Sequence, residues 1–227
     1  MNNVMYGEKL YPFDNPLTSR QRKTFVENLS LESLKYCFGE TYSDFFVDDK
    51  PDIQDKNGLV GIEVTEAISM EEAQIESEFI QYNMKDGKRS KERSKAIIEA
   101  RGGKLDELSL SYPIKNSEME KRLFQDALGK KMEKIESYRK KGFTKLGLFI
   151  YYAEPPIPFN LIDIKLWFDD VMKHYDDKYD NLFFLYPYGM IYYDISINDI
   201  QITVIGREQY NILQYNARTS VEEKYKR

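Results

Sequence analysis

Two acidic residues, Asp52 and Glu63, flank a stretch that reads as a β-hairpin, Pro51-Asp52-Ile53-Gln54-Asp55-Lys56-Asn57-Gly58-Leu59-Val60-Gly61-Ile62-Glu63-Val64-Thr65. Asn57-Gly58 predicts a two-residue type I′ turn, which needs positive φ at both central positions. With that loop, Asp55 pairs with Val60, Gln54 with Gly61, Ile53 with Ile62 and Asp52 with Glu63. Directly opposed Cβ atoms in such a ribbon lie roughly 4.5–5.5 Å apart. Two carboxylates at that distance repel unless a cation lies between them, and Mg²⁺ is held by one or two carboxylates plus substrate phosphate oxygens. By alternation Ile53, Val60, Ile62 and Val64 form an apolar face, opposite Asp52, Gln54, Gly61, Glu63 and Thr65. A blander reading also fits these residues: Asp52 initiates a turn and Glu63 is an exposed position on an amphipathic strand.

Other common chemistries lack their residues. The chain has one His (His174) and one Cys (Cys37), so no zinc cluster and no His-based nuclease motif can be assembled from it. We expect His174 at a surface or helix end and Cys37 as a packing residue. There is no Gly-x-x-x-x-Gly-Lys-Ser/Thr loop and no Gly-x-Ser-x-Gly elbow. Carboxylate-bound metal hydrolysis is left.

The elements that must position these acids follow from periodicity. Residues 1–17 read as an irregular lead-in and Thr18 to Phe38 as helix, with Gly39 as its stop and Ser30 as a candidate second cap. A strand is expected over Ser43–Asp48. Ser69-Met70-Glu71-Glu72 is a capping box opening a helix to Met84, with Met70, Ala73, Ser77, Ile80 and Met84 on one side. A basic segment follows, with Lys85, Lys88, Arg89, Lys91, Arg93 and Lys95. It reads either as a solvated connection or as a phosphate-contacting patch, the contacts falling to Lys88, Arg89, Lys91 and Arg93. Ser117-Glu118-Met119-Glu120 predicts a second capping box and one helix to Lys141, closed by Gly142. Its late lysines suit the helix dipole. Lys145–Tyr152 reads as a strand covered on both faces, and Asn160 as the cap of a helix to Tyr175 facing inward with Ile164, Trp167, Val171 and Tyr175. Strands are expected over 182–186, 190–195 and 200–205, and a polar helix or tail over 210–227. This order predicts an α/β sandwich around a mixed central sheet, in a single domain spanning 1–227.

The Pro51-Asp52 pair, ten intervening residues and Glu63-Val64-Thr65 resemble the signature of the PD-(D/E)xK nuclease superfamily. The order of elements resembles its restriction-endonuclease-like fold. The resemblance implies a metal-dependent nuclease, with Asp52 and Glu63 as metal ligands and Asp52, Glu63 and Thr65 at the catalytic positions. DNA is the implied substrate, in restriction, defence or mobile-element biology. Thr65 stands where that family usually has a lysine that positions the attacking water. Lys85, Lys88 and Lys50 are candidates for its replacement. Glu78 with Tyr82 only partly matches a Gln-x-x-x-Tyr pair found in one branch.

Composition sets the alternatives. Apolar residues make up 41% and charged residues 31%, with 18 Tyr and 13 Phe, as in a sheet-rich globular protein. The net charge of −5 argues against coating nucleic acid by global charge. A degenerate nuclease fold that binds nucleic acid without cutting is one alternative. A protein-interaction domain, acting as a homodimer or in a larger assembly, is another. Neither a signal peptide nor a membrane span is expected, so the sequence reads as cytoplasmic.

Overall fold

The computed structural model describes residues 17–84, 87–105, 110, 111, 115–153 and 161–226. The chain forms an α/β sandwich around a seven-stranded mixed sheet. It divides into two compact units, one comprising Met1–Thr24 with Ile68–Lys115 and the other Phe25–Ala67 with Asn116–Arg227.

The larger unit holds the sheet. Helix α1 (Ser19–Phe38) is continuous, and Ser30 sits within it, its hydroxyl donating to the Val26 carbonyl at 2.8 Å rather than capping a second helix. Gly39, at φ 55°, ends α1 in a conformation that favours glycine. Strands β1 (Phe46–Val47), β2 (Ile53–Gln54) and β3 (Val60–Glu66) form the expected antiparallel ladder, although β1 is shorter than 43–48. Strand β6 (Lys145–Tyr151) pairs parallel to β3, and β7 (Asn181–Tyr186) parallel to β6. Two antiparallel strands, β8 (Gly189–Asp194) and β9 (Asp199–Val204), complete the order β1-β2-β3-β6-β7-β8-β9.

Because β3 and β6 lie inside the sheet, both of their faces are covered, and nearly every residue of β6 is buried. One face carries Leu146, Leu148, Ile150, Leu182 and Phe184. It packs against α4 (Ser117–Met132), the short α5 (Ile135–Lys140) and α6 (Leu161–Met172) through Phe124, Leu128, Ile135, Ile164 and Phe168. On the opposite face Phe183 meets Phe149 and the Phe38 ring of α1. The C-terminal stretch is helix α7 (Arg207–Tyr225), whose Asn216 donates to Glu32 of α1. Its face of Tyr210, Leu213, Ala217 and Val221 is buried, so this polar-looking segment is packed rather than a tail.

Two expectations about this unit need correcting. The cap of α4 is Asn116, whose side chain accepts from the Met119 amide at 2.9 Å, so Ser117 is the first helical residue rather than the cap. The predicted helix to Lys141 is broken between Met132 and Ile135 into α4 and α5, and Gly142 closes α5 at φ 103°.

The smaller unit contains α2 (Met70–Met84), α3 (Lys88–Ala100) and the two-stranded ladder β4 (Lys104–Leu105) with β5 (Leu110–Ser111). The Ser69–Glu72 capping box forms in both directions, at 3.0 and 3.1 Å. The inward stripe of α2 differs from expectation. Met70 is exposed, while Glu72 and Ile75 are buried and Phe79 and Tyr82 pack on Ile98, Leu105 and Leu110. Glu72 is ion-paired with Lys115, which lets a charge occupy a core-facing position and hides the stripe from a hydrophobicity count. Asn160 lies outside the described residues.

Candidate metal and phosphate site

The hairpin sets the site. Its loop has four residues, Lys56–Leu59, rather than two. Only Gly58 takes a positive φ (67°), and its amide donates to the Asp55 carbonyl at 3.2 Å. The Asp55 carboxylate explains the change, since it accepts from the Leu59 and Val60 amides, each at 2.8 Å. Two extra loop residues preserve the alternation, so the register is the expected one: Ile53 faces Ile62 and Gln54 faces Gly61. Continuing that register brings Asp52 level with Glu63.

Gly61 makes this possible. A Cβ there would lie 2.3 Å from Pro51 Cγ and 3.1 Å from the Phe143 ring. Pro51 therefore packs directly over the β3 backbone, and Asp52 follows it. Asp52 is 5% exposed, and its Oδ2 accepts from the Val64 amide at 2.8 Å. That bond crosses from the end of β2 to β3 and fixes the carboxylate beside the strand carrying Glu63.

Glu63 is 1% exposed, which removes the reading of it as a solvent-facing strand residue. Burial of a carboxylate is unfavourable unless it is paired and hydrogen-bonded. Three groups from α4, α5 and the turn between them meet this requirement. Lys131 Nζ lies 2.6 Å and Lys134 Nζ 2.5 Å from the same oxygen, Oε1. The Tyr138 hydroxyl donates to Oε2 at 2.5 Å. Lys131 also donates to the Val64 carbonyl at 2.9 Å, and its own carbonyl accepts from Tyr179 at 2.9 Å. Burial pushes the Glu63 carboxyl upward, but the Lys131 charge and the hydrogen bonds from Lys131, Lys134 and Tyr138 outweigh it and hold the group below the usual carboxylate range. For Lys134, burial works against the charged form. The bond and charge of Glu63, with the charge of Asp52, still hold its ammonium above the ordinary lysine value. Burial, then Glu63 and Asp52, push the Tyr138 and Tyr179 phenols up. Both acids thus act electrostatically on the same lysine and the same two tyrosines.

Among the expected site residues, Asp52 and Glu63 are both buried, and Asp52 is tied to the strand carrying Glu63 through the Val64 amide. Thr65 is half-buried two residues along β3, paired with Ile150. Lys50 is not on Glu63; its ammonium extends toward Asp49 at 3.6 Å, and its carbonyl accepts from Lys141. Lys88 opens α3 in the smaller unit, where Lys88, Arg89 and Arg93 are exposed and Lys91 lies over the Tyr82 ring. Lys85 lies outside the described residues. His174 is exposed, and burial pushes the half-buried Cys37 thiol up to about 11, away from nucleophilic character at neutral pH.

The residues that sequence reasoning missed are Lys131, Lys134 and Tyr138. A signal was present. They stand at i, i+3 and i+7, one face of a helix, alongside the apolar positions Leu128, Met132 and Ile135. Attributing the lysines to the helix dipole concealed that face.

Carboxylate oxygens are the hard donors that a Mg²⁺ or Mn²⁺ site would use. Asp52 and Glu63 are the two buried carboxylates that would hold the cation, and two ammonium groups already share Glu63 Oε1. Among the described residues no group of three or more His, Cys, Asp or Glu side chains is placed to hold a metal. The remaining ligands would be water and substrate oxygens. Also among the described residues, no helix is long and apolar enough to cross a membrane. Comparison of the chain with protein-family models, curated proteins and solved structures finds no match.

Proposed function

We propose that the protein is a divalent-metal-dependent phosphodiesterase acting on nucleic acid, most plainly DNA, with a restriction-endonuclease-like fold. One observation carries this reading: Asp52 and Glu63 are both buried, on adjoining segments of a hairpin, and lysine ammonium groups converge on Glu63. An acid pair with neighbouring lysine is what phosphodiester hydrolysis needs, since negative charge gathers on the phosphate as water attacks. Mg²⁺ or Mn²⁺, when bound, supplies a Lewis acid to the phosphate and lowers the pKa of the attacking water. The chain's own residues do the rest. Asp52 and Glu63 offer the ligands, Lys131 and Tyr138 orient Glu63, and Lys134 supplies the cation expected at the position of Thr65.

The exposed Lys88, Arg89 and Arg93 of α3 give phosphate-binding charge, as expected of a protein whose substrate is a polyanion. A second reading, binding of nucleic acid without cleavage, is favoured by Thr65 and by the full set of donors already on Glu63. Plasmid cleavage in Mg²⁺ or Mn²⁺ separates the two. The nuclease reading expects cleavage by the wild type that falls at least about a hundredfold in Asp52→Asn and in Glu63→Gln. Salt-dependent binding without cleavage selects the second reading, and undiminished cleavage by both variants removes the assigned site.

A further inference from the structure

Lys131 and Lys134 both donate to Glu63 Oε1, but they are not equivalent. Lys131 is tied down at a second point, the Val64 carbonyl, and its side chain is 18% exposed. The Lys134 side chain is 44% exposed, and it lies in the break between α4 and α5. One carboxylate oxygen has about two lone-pair directions. With Lys131 held at two points, Lys134 is the more exposed and less anchored of the two donors.

We infer that Lys134 is a tethered stand-in for the catalytic cation: its ammonium and a divalent cation occupy Glu63 Oε1 in alternation. The inference rests on the proposed metal site. Without metal, Lys134 neutralises the buried acids and lets the hairpin fold. When a divalent cation is taken up, Lys134 leaves Oε1 and its ammonium is freed toward solvent, where a phosphate of the substrate would be met. Lys131 and Tyr138 stay on Glu63 throughout. The missing motif lysine is thereby replaced by one that is released only once the metal is present.

Two measurements on the full chain test this. In the first, Mn²⁺ is titrated calorimetrically into the wild type and Lys134→Gln. Loss of one competing charged hydrogen bond predicts about tenfold tighter binding by the variant. In the second, the wild type is briefly acylated with an amine reagent, with and without Mn²⁺, and Lys134 is compared by mass spectrometry with the exposed Lys140. The ratio is expected to rise several-fold with Mn²⁺. This arm needs no variant and is blind to a simple loss of positive charge. If Mn²⁺ binds the wild type but labelling is unchanged, or Lys134→Gln binds no more tightly, the alternation is overturned and the metal site stands. If the wild type binds no Mn²⁺, the metal site falls with it.

Discussion

At the scale of single residues, Glu63 dominates. Its oxygens receive three donors, two of them cationic, while the carboxylate itself is buried. Such an arrangement makes the acid's charge stabilising. A carboxyl whose folded value lies below its ordinary 4.5 contributes stability that is present above that value and is lost as pH falls through the lowered one. Glu63→Gln mimics the protonated form and leaves two ammonium groups without their counter-ion. Urea denaturation should find the variant roughly 1–3 kcal/mol less stable than wild type at neutral pH. The gap should close as both are acidified below 4.5 and Glu63 itself takes up a proton. A gap independent of pH would show that the cost is one of packing rather than charge. The two acids were legible in the sequence because they are spaced across an Asn-Gly turn and Asp52 follows a proline. Their partners were not, because lysines near the end of a helix are so often solvated that the type of residue alone does not distinguish them.

At the scale of elements, the hairpin was legible and its loop was not. The alternation of Ile53, Val60, Ile62 and Val64 determines which residues face each other, and it allows two or four loop residues equally. The Asp55 carboxylate decides between them by capping the Leu59 and Val60 amides, a choice invisible to an Asn-Gly rule. The contact of Pro51 on Gly61 is what seats Asp52. Gly61→Ala would place a methyl carbon 2.3 Å from Pro51 Cγ, with the ring of Phe143 behind it. We expect that variant to lose about 1–3 kcal/mol in urea denaturation as the hairpin shifts. It should also lose Mn²⁺ binding although neither acid is altered. Wild-type stability in Gly61→Ala would mean that Pro51 does not anchor the site. The break between α4 and α5 escaped prediction because no proline or glycine marks it, and the positions on either side, Met132 and Ile135, are both apolar and buried.

For the whole molecule, the sandwich was legible because strands such as Lys145–Tyr151 are continuous apolar runs, and because α2 and α4 begin with capping residues. What composition could not show was the division into two units, since the main part of the smaller one is inserted between Ala67 and Asn116 without a glycine- or proline-rich linker to announce it. That insertion falls between β3, which ends the hairpin, and α4, which supplies the lysines. The larger unit, built from Phe25–Ala67 and Asn116–Arg227, therefore contains every residue assigned here to the acid pair and its lysines.

The most direct test of the account is calorimetric titration of Mn²⁺ into the wild type, Asp52→Asn and Glu63→Gln, each verified as folded by circular dichroism. Asp52 and Glu63 acting together predict one binding event in the wild type that disappears in both variants. Binding that survives unchanged in either variant would contradict the claim that these two carboxylates grip a single cation.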